Sequence, residues 1–423
     1  MNNQRFGLLS AFGDSITYRF AVALVSLGLG AFASPTLYGF YASLLIPIGF
    51  FQACIEGLIR GSSTNLFTSE ASSRLVLNFS RKAAVVATPA LILYSLFLAA
   101  KSQYTWVELA MLSPLLLTPA VVVNSAWVQR IIQIKENWRL IALRRIVVTT
   151  GTLPICLFFV ITEKSLLAAS LFMPLTEFLI YLTIRKSLPL FSNPQPIETN
   201  LISVRREIGE FIPFQARYWM ITQSDRFVVG LVATANLSGL YLLASAIARL
   251  PGEITTGTLN AILRNKLRLG VDELKRSSLV EDTIQKLRVL NALAIVVISI
   301  LVALVLAKIN PELEAIIYLV PLLMSPMFLK DAASTVWTRS IFEEGVQGKV
   351  NTQTLSILLT LACGVVVSQN LVIGTIAVAL REILTSAWIV WKWRKYARAW
   401  ILVSAGTLSA SCFLVFTLLA ISN

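Results

Sequence analysis

Thirteen apolar stretches follow one another along this 423-residue chain, at about 7–32, 37–60, 83–100, 106–129, 143–162, 165–184, 208–233, 237–262, 289–308, 313–339, 353–370, 372–391 and 399–421. Each is long enough to cross ~30 Å of hydrocarbon as a helix. Inside a bilayer no water satisfies the backbone, so a spanning segment is either a helix or a strand of a closed barrel. Continuous apolar runs, without the short alternating pattern of barrel strands, select the helix. Composition agrees, because 56% of residues are hydrophobic and 14% charged, against about 25% charged in soluble proteins. The chain therefore reads as an all-α integral membrane protein. Its first apolar run, from about Phe6 to Ala33, exceeds a signal peptide and is expected to remain as a span. There is no histidine, and the four cysteines stand singly at Cys54, Cys156, Cys363 and Cys412. That removes histidine bases, catalytic triads, disulfide frameworks and most zinc sites. No catalytic residue, metal ligand or cofactor site is expected.

The tightest turns, near Ser34-Pro35, Glu163-Lys164, Thr234-Ala235-Asn236 and Gln369-Asn370, fall on one side of the membrane. Of the 36 lysines and arginines, 27 lie in the ends and loops of the opposite side, and only Lys101, Lys164 and Lys308 on the short-turn side. Positive charge marks the cytoplasmic face, which places the N-terminus and long loops in the cytoplasm. The net charge of +14 is thus a topology signal and gives no reason to expect nucleic acid. The basic segment 263–288 is amphipathic and is expected to lie along the cytoplasmic surface.

Residues 30–41, GAFASPTLYGFY, return 200 positions later as GLVATANLSGLY, with Gly30, Ala33, Leu37, Gly39 and Tyr41 matched by Gly230, Ala233, Leu237, Gly239 and Tyr241. Each copy sits where one span ends and the next begins. Both halves start on the same side, so the repeat is parallel. The expected organisation is a six-helix bundle over 1–186, a cytoplasmic linker over 187–206, a second six-helix bundle over 207–392 and an additional helix over 393–423. That gives about 13 transmembrane helices, twelve plus one. Two-fold internal repetition is the usual build of alternating-access transporters.

Ionisable side chains within the spans cost ~2.5–3.5 kcal/mol each at mid-depth, so they face partners or water. They include Asp14, Arg19, Glu56, Glu177, Arg217, Asp225, Arg226, Arg249, Glu253, Lys330, Asp331, Arg381 and Glu382. Ser238, Ser245, Arg249, Glu253, Thr256 and Asn260 share one helical face, as do Gln52, Glu56 and Arg60. Arg19, Arg217, Arg226 and Arg249 are candidates for substrate binding, since a guanidinium fork suits phosphate oxygens. For Arg19 and Arg217 the plain alternative is snorkelling to the interface. Glu56, Asp225 and Glu253 are candidate cation-coupling carboxylates. Glu56–Arg60 and Arg249–Glu253 read equally as helix-locking i,i+4 pairs, and Arg381–Glu382 as a structural pair.

The stretch Asp225-Arg226-Phe-Val-Val-Gly230, followed by Leu237-Ser-Gly239-Leu240-Tyr241, Ala244, Ala248 and Pro251, resembles the middle signature of bacterial polysaccharide (O-antigen type) flippases. These belong to the multidrug/oligosaccharidyl-lipid/polysaccharide exporter superfamily. Leu37-Tyr38-Gly39-Phe40-Tyr41 is similar to that family's first hairpin, and Gly374 fits its late helix pair. The resemblance implies two six-helix bundles around a central cavity in the inner membrane. It also implies a polyprenyl-pyrophosphate-linked oligosaccharide as cargo, with Arg19, Arg226 and Arg249 at the family's cationic positions. Thirteen spans depart from the twelve or fourteen usual there.

The leading expectation is accordingly a flippase for lipid-linked oligosaccharide, working in surface polysaccharide assembly beside other assembly proteins and membrane lipids. No GxxxxGK[ST] loop is present to bind a nucleotide. A multidrug exporter of the same superfamily is the alternative, and it would prefer an acidic, aromatic cavity. An integral-membrane polymerase or ligase would be expected to show a large outward loop, which this chain lacks. A structural scaffold leaves the buried charges unexplained.

Overall fold

A computed structural model describes residues 17–18, 20–61, 70–102, 105–134, 138–186, 201–267, 272–302, 305, 307–344 and 353–422. Among these the regular structure is entirely helical. The helices are α1 (Phe20–Phe32), α2 (Pro35–Gly61), α3 (Glu70–Ser102), α4 (Trp106–Leu112), α5 (Thr118–Ile134), α6 (Trp138–Thr162), α7 (Leu166–Arg185) and α8 (Leu201–Val232). There follow α9 (Ala235–Leu267), α10 (Glu273–Leu301), α11 (Ile316–Met324), α12 (Met327–Glu344), α13 (Gln353–Gln369), α14 (Leu371–Lys392) and α15 (Ala399–Ser422).

The described part of each apolar stretch is mainly helix. Eight helices among the described residues are long and apolar enough to cross a membrane, or nine with one bent pair counted as a span. The difference from thirteen has physical causes. The helices α8 and α9 carry polar and charged side chains, α13 has 17 residues, and α1 is described only from Phe20 onward. The expected span at 313–339 is the bent pair, with a 41° change of direction between Pro311–Met324 and Met327–Ser340. Pro326 sits in the break, where it has no N–H to donate to the preceding turn.

The tight turns lie where the sequence placed them. Ser34 Oγ accepts the Leu37 N–H at 3.2 Å, and its repeat equivalent Thr234 Oγ1 accepts the Leu237 N–H at 3.4 Å. Ser165 and Asn370 cap α7 and α14 in the same way. Lys164 turns the chain with φ of 52°. The segment 263–288 differs from expectation: 263–267 ends α9, and 273–288 is the first half of α10, continuous with its apolar half. The reason is burial, since Val280, Ile284 and Leu287 of that half are in the core.

The chain divides into two compact units, Met1–Ala33 with Phe40–Gln223, and Ser34–Gly39 with Ser224–Asn423. In the first, Ile55, Leu58 and Ile59 of α2 pack with Val76 and Leu77 of α3 and Val122, Val123 and Ala126 of α5. A neighbouring cluster joins Val128 and Ile132 of α5 to Ile141 of α6 and Ile180 and Ile184 of α7. Apolar side chains such as Val85, Leu93 and Phe97 on α3 and Val147, Ile155 and Phe158 on α6 point outward, as lipid contact requires. In the second unit, α12 packs against α9, α10, α14 and α15. The last helix is integral to it: Arg288 of α10 donates to the Ile401 carbonyl and Ser404 Oγ, at 3.1 and 2.7 Å. Arg339, fully buried on α12, bridges Glu273, Ser277 and the Tyr396 carbonyl and lies 4.7 Å from the Tyr396 ring.

Within this second unit the matched glycines of the repeat meet. A methyl group on Gly39 would strike the Ala235 carbonyl and the Gly239 nitrogen, and one on Gly239 would strike the Pro35 carbonyl. Backbone cannot yield as a flexible side chain can, so only glycine allows this crossing. Gly39→Ala and Gly239→Ala should each cost about 1–3 kcal/mol through overpacking, read as a lower thermal midpoint of the detergent-purified protein. Gly151→Ala, where no atom lies within 4 Å, should be neutral or mildly stabilising.

Candidate functional site

The second unit joins six of its ionisable groups into a network drawn from four helices. Asp225 of α8 is fully buried. Its Oδ2 accepts the Tyr241 hydroxyl at 2.5 Å and lies 3.3 Å from Arg249 Nη2, both partners on α9. Arg249 also reaches Glu382 of α14, at 3.7 Å. Glu382 Oε2 accepts Lys330 Nζ of α12 at 2.7 Å, and its Oε1 lies 3.4 Å from Arg381. Arg226 turns to α9, where its Nε donates to Ser245 Oγ at 2.7 Å. The side chains of Arg249 and Glu382 are largely buried, whereas that of Lys330 is 40% exposed.

Local sequence explains these positions. Tyr241, Ser245 and Arg249 recur every fourth residue and share one face of α9. Gly364 of α13 lets that helix close on α8 beside the Asp225 backbone, where a methyl group would meet the Asp225 carbonyl oxygen at 2.8 Å. The described members comprise two carboxylates and four cations, so the network carries an excess of positive charge. In a medium of low dielectric that excess attracts anions strongly.

The candidate residues divide accordingly. Asp225, Arg226 and Arg249 lie in this network. Arg217 belongs to the first unit, half-buried on α8, and makes no hydrogen bond or ion pair among the described residues. Glu56 is also in the first unit, where Gln52 Nε2 donates to its Oε1 at 2.9 Å. Arg19, Asp14 and the side chains of Glu253 and Arg60 lie outside the described residues, and with them the two i,i+4 pairs.

Sequence reading noted Lys330, Arg381 and Glu382 as charges within spans but did not join them to Asp225. The lysine meets an acid 52 positions away, and no local spacing reveals such a partner. Two basic residues counted with the cytoplasmic ends are internal. Arg339 is described above, and Arg145 of α6 pairs with Glu177 of α7 at 2.8 Å while its guanidinium lies 4.5 Å from the Tyr18 ring. Ser125 closes that second network by donating to Glu177 at 2.6 Å. Among the described residues no group of three or more Cys, Asp or Glu could hold a metal ion.

No family profile matches the chain, and no curated protein does. Solved structures do. The lipid II flippase MurJ in an inward closed conformation is similar, with a TM-score of 0.67 at 12% identity over 97% of this chain and 92% of that one. The Vibrio cholerae MATE transporter VcmN gives 0.54 at 12% identity, over 100% and 97%. An inward-facing multidrug resistance MATE family transporter of the MOP superfamily gives 0.53 at 12%, over 98% and 95%. The fold is thus the one these membrane transporters share.

Arg249 is the shared cation of two buried acids, so its removal leaves uncompensated charge. Arg249→Ala should cost about 3–5 kcal/mol, seen as a lost or aggregated fraction on size-exclusion chromatography. Asp225→Asn should recover part of that loss when combined with Arg249→Gln. Strict additivity of the two changes would show that the ion pair carries no coupling energy.

Proposed function

We propose that this protein moves a polyprenyl-pyrophosphate-linked oligosaccharide from the cytoplasmic to the outer leaflet of a bacterial inner membrane, by alternating access. The carrying observation is the positive excess among Asp225, Arg226, Arg249, Lys330, Arg381 and Glu382, built into helices that otherwise suit lipid. A pyrophosphate held by a lipid is the cargo whose charge such a network complements. The similarity to a lipid II flippase supports a lipid-linked cargo, and the two-fold repeat in the sequence supports a carrier. Arg226 and Arg249 are the residues assigned to the headgroup. The oligosaccharide belongs to surface polysaccharide assembly, whose other proteins are its partners.

The second reading is export of cationic drugs, supported by the similarity to multidrug transporters. A net positive network disfavours it, because it repels a cation where an exporter must hold one. An enzyme acting on the same glycolipid is a third reading. The absence of histidine from the sequence and the tight turns at Ser34 and Thr234 give it little to work with.

Cells lacking the protein should accumulate complete lipid-linked units on the cytoplasmic face, with sensitivity to cationic drugs unchanged. Accumulation in the outer leaflet would assign the protein to a polymerising or ligating step. Hypersensitivity to drugs with normal glycan would assign it to export.

Orientation has its own test. With the four native cysteines replaced, Asn236→Cys at the exposed short turn should react with an impermeant thiol reagent in intact cells. Lys275→Cys, exposed at the start of α10, should react only after permeabilisation. The reverse pattern would place the N-terminus outside.

A further inference from the structure

One buried carboxylate stands apart from the ion-paired network. Asp331, next to Lys330 on α12, is 5% exposed and has no lysine or arginine nitrogen within 4 Å among the described residues. Its Oδ2 accepts a hydrogen bond from Asn291 Nδ2 of α10 at 2.8 Å, and the Thr256 hydroxyl of α9 faces the same carboxylate. Asn291 is wholly enclosed, yet among the described residues its Oδ1 has no hydrogen-bond partner. A buried anion without a counter-charge and a buried carbonyl oxygen without a donor are both costly.

One proton removes both costs. A neutral carboxylic acid and a primary amide are complementary through two hydrogen bonds, amide N–H to acid oxygen and acid O–H to amide oxygen. The first is present at 2.8 Å, and a proton on Asp331 supplies the second. We infer that Asp331 and Asn291 form a proton-binding site. That the proton drives cargo movement rests on the transport reading above; that Asp331 holds it does not.

Among the described residues, the interior charged groups of the surrounding helices are engaged elsewhere. On α12, Lys330 is held by Glu382; on α14, Arg381 and Glu382 belong to the network; on α9, Arg249 is bound to Asp225. On α10, Arg288 is turned to Ile401 and Ser404, while Lys286 pairs with Asp282. The α15 helix carries no acidic or basic side chain, and it meets α12 through Ser409 Oγ, which accepts the Leu329 N–H at 3.0 Å. The remaining neighbours, Thr256 and Asn260, are neutral; Asn260 donates to Ser334 Oγ at 3.0 Å.

Infrared difference spectra of the purified protein in nanodiscs, taken between alkaline and acid buffer, should contain a protonated-carboxyl band. The near-isosteric Asp331→Asn should lose that band, and Asn291→Ala should move it to higher wavenumber, because the acid carbonyl loses its amide donor. Absence of the band in the wild type, or its persistence in Asp331→Asn, overturns the site. Its removal by Na⁺ at constant pH also overturns the proton assignment. In proteoliposomes carrying a fluorescent polyprenyl-pyrophosphate saccharide, a pH gradient should accelerate movement in the wild type and not in Asp331→Asn. Absence of movement in every condition, with the infrared result intact, would reject the transport reading and leave the proton site standing.

Discussion

Every charge placed inside an apolar helix must find its partner within the protein, and this requirement shapes the second unit. Arg249 answers two carboxylates at once, and Lys330 and Arg381 complete the coordination of Glu382. Through these contacts α8, α9, α12 and α14 are held together by polar groups that lipid cannot replace. Between helices in hydrocarbon the hydrophobic effect gives little drive for association, so packing and buried polar contacts set the arrangement. The glycine crossing at Gly39 and Gly239 is the packing half of that statement, and the Arg249 network is the polar half.

Much of this architecture was legible because its signals are local. The capping hydroxyls at Ser34 and Thr234, the left-handed turn at Lys164 and the apolar runs each act over a few residues. The repeat was legible for a related reason: glycine recurs at 39 and 239 because the backbones touch there, and a sequence offset records that need. Pro326 is one of several prolines in the spans that permit a kink, and the sequence does not single it out, because proline within a span bends the helix only when neighbouring helices allow it. The continuation of 273–288 into α10 was missed because amphipathicity reports an apolar face without naming its partner. Here the partners are protein.

The site was less legible than the fold. Spacing puts Ser245 and Arg249 on one face of α9, and the sequence places Asp225 and Arg226 side by side on α8. The second acid that Arg249 meets, Glu382, comes from α14 together with Arg381, and Lys330 joins it from α12; these meetings depend on tertiary placement. Arg145 and Arg339 show the converse error: basic residues near the ends of spans resemble interfacial anchors, yet both are internal and paired. Their removal from the count leaves the charge asymmetry, and the orientation drawn from it, intact.

The buried charges fall into classes that differ in how readily they can change. Arg145 with Glu177 is a buried matched pair with a further hydrogen bond from Ser125, and breaking it leaves an uncompensated charge at a cost of about 3–5 kcal/mol. Such pairs fix helices. Arg249 is shared between two acids, at 3.3 and 3.7 Å, so an arriving anion competes with an existing partner and need not be met by a bare cation. Competition of that kind limits affinity, which a carrier requires if it is to release what it binds. Asp331 is different again: its neighbours are neutral, so its charge can change without breaking an ion pair. Of the described carboxylates in the second unit's interior, it is the one whose change of charge leaves the Arg249 network in place.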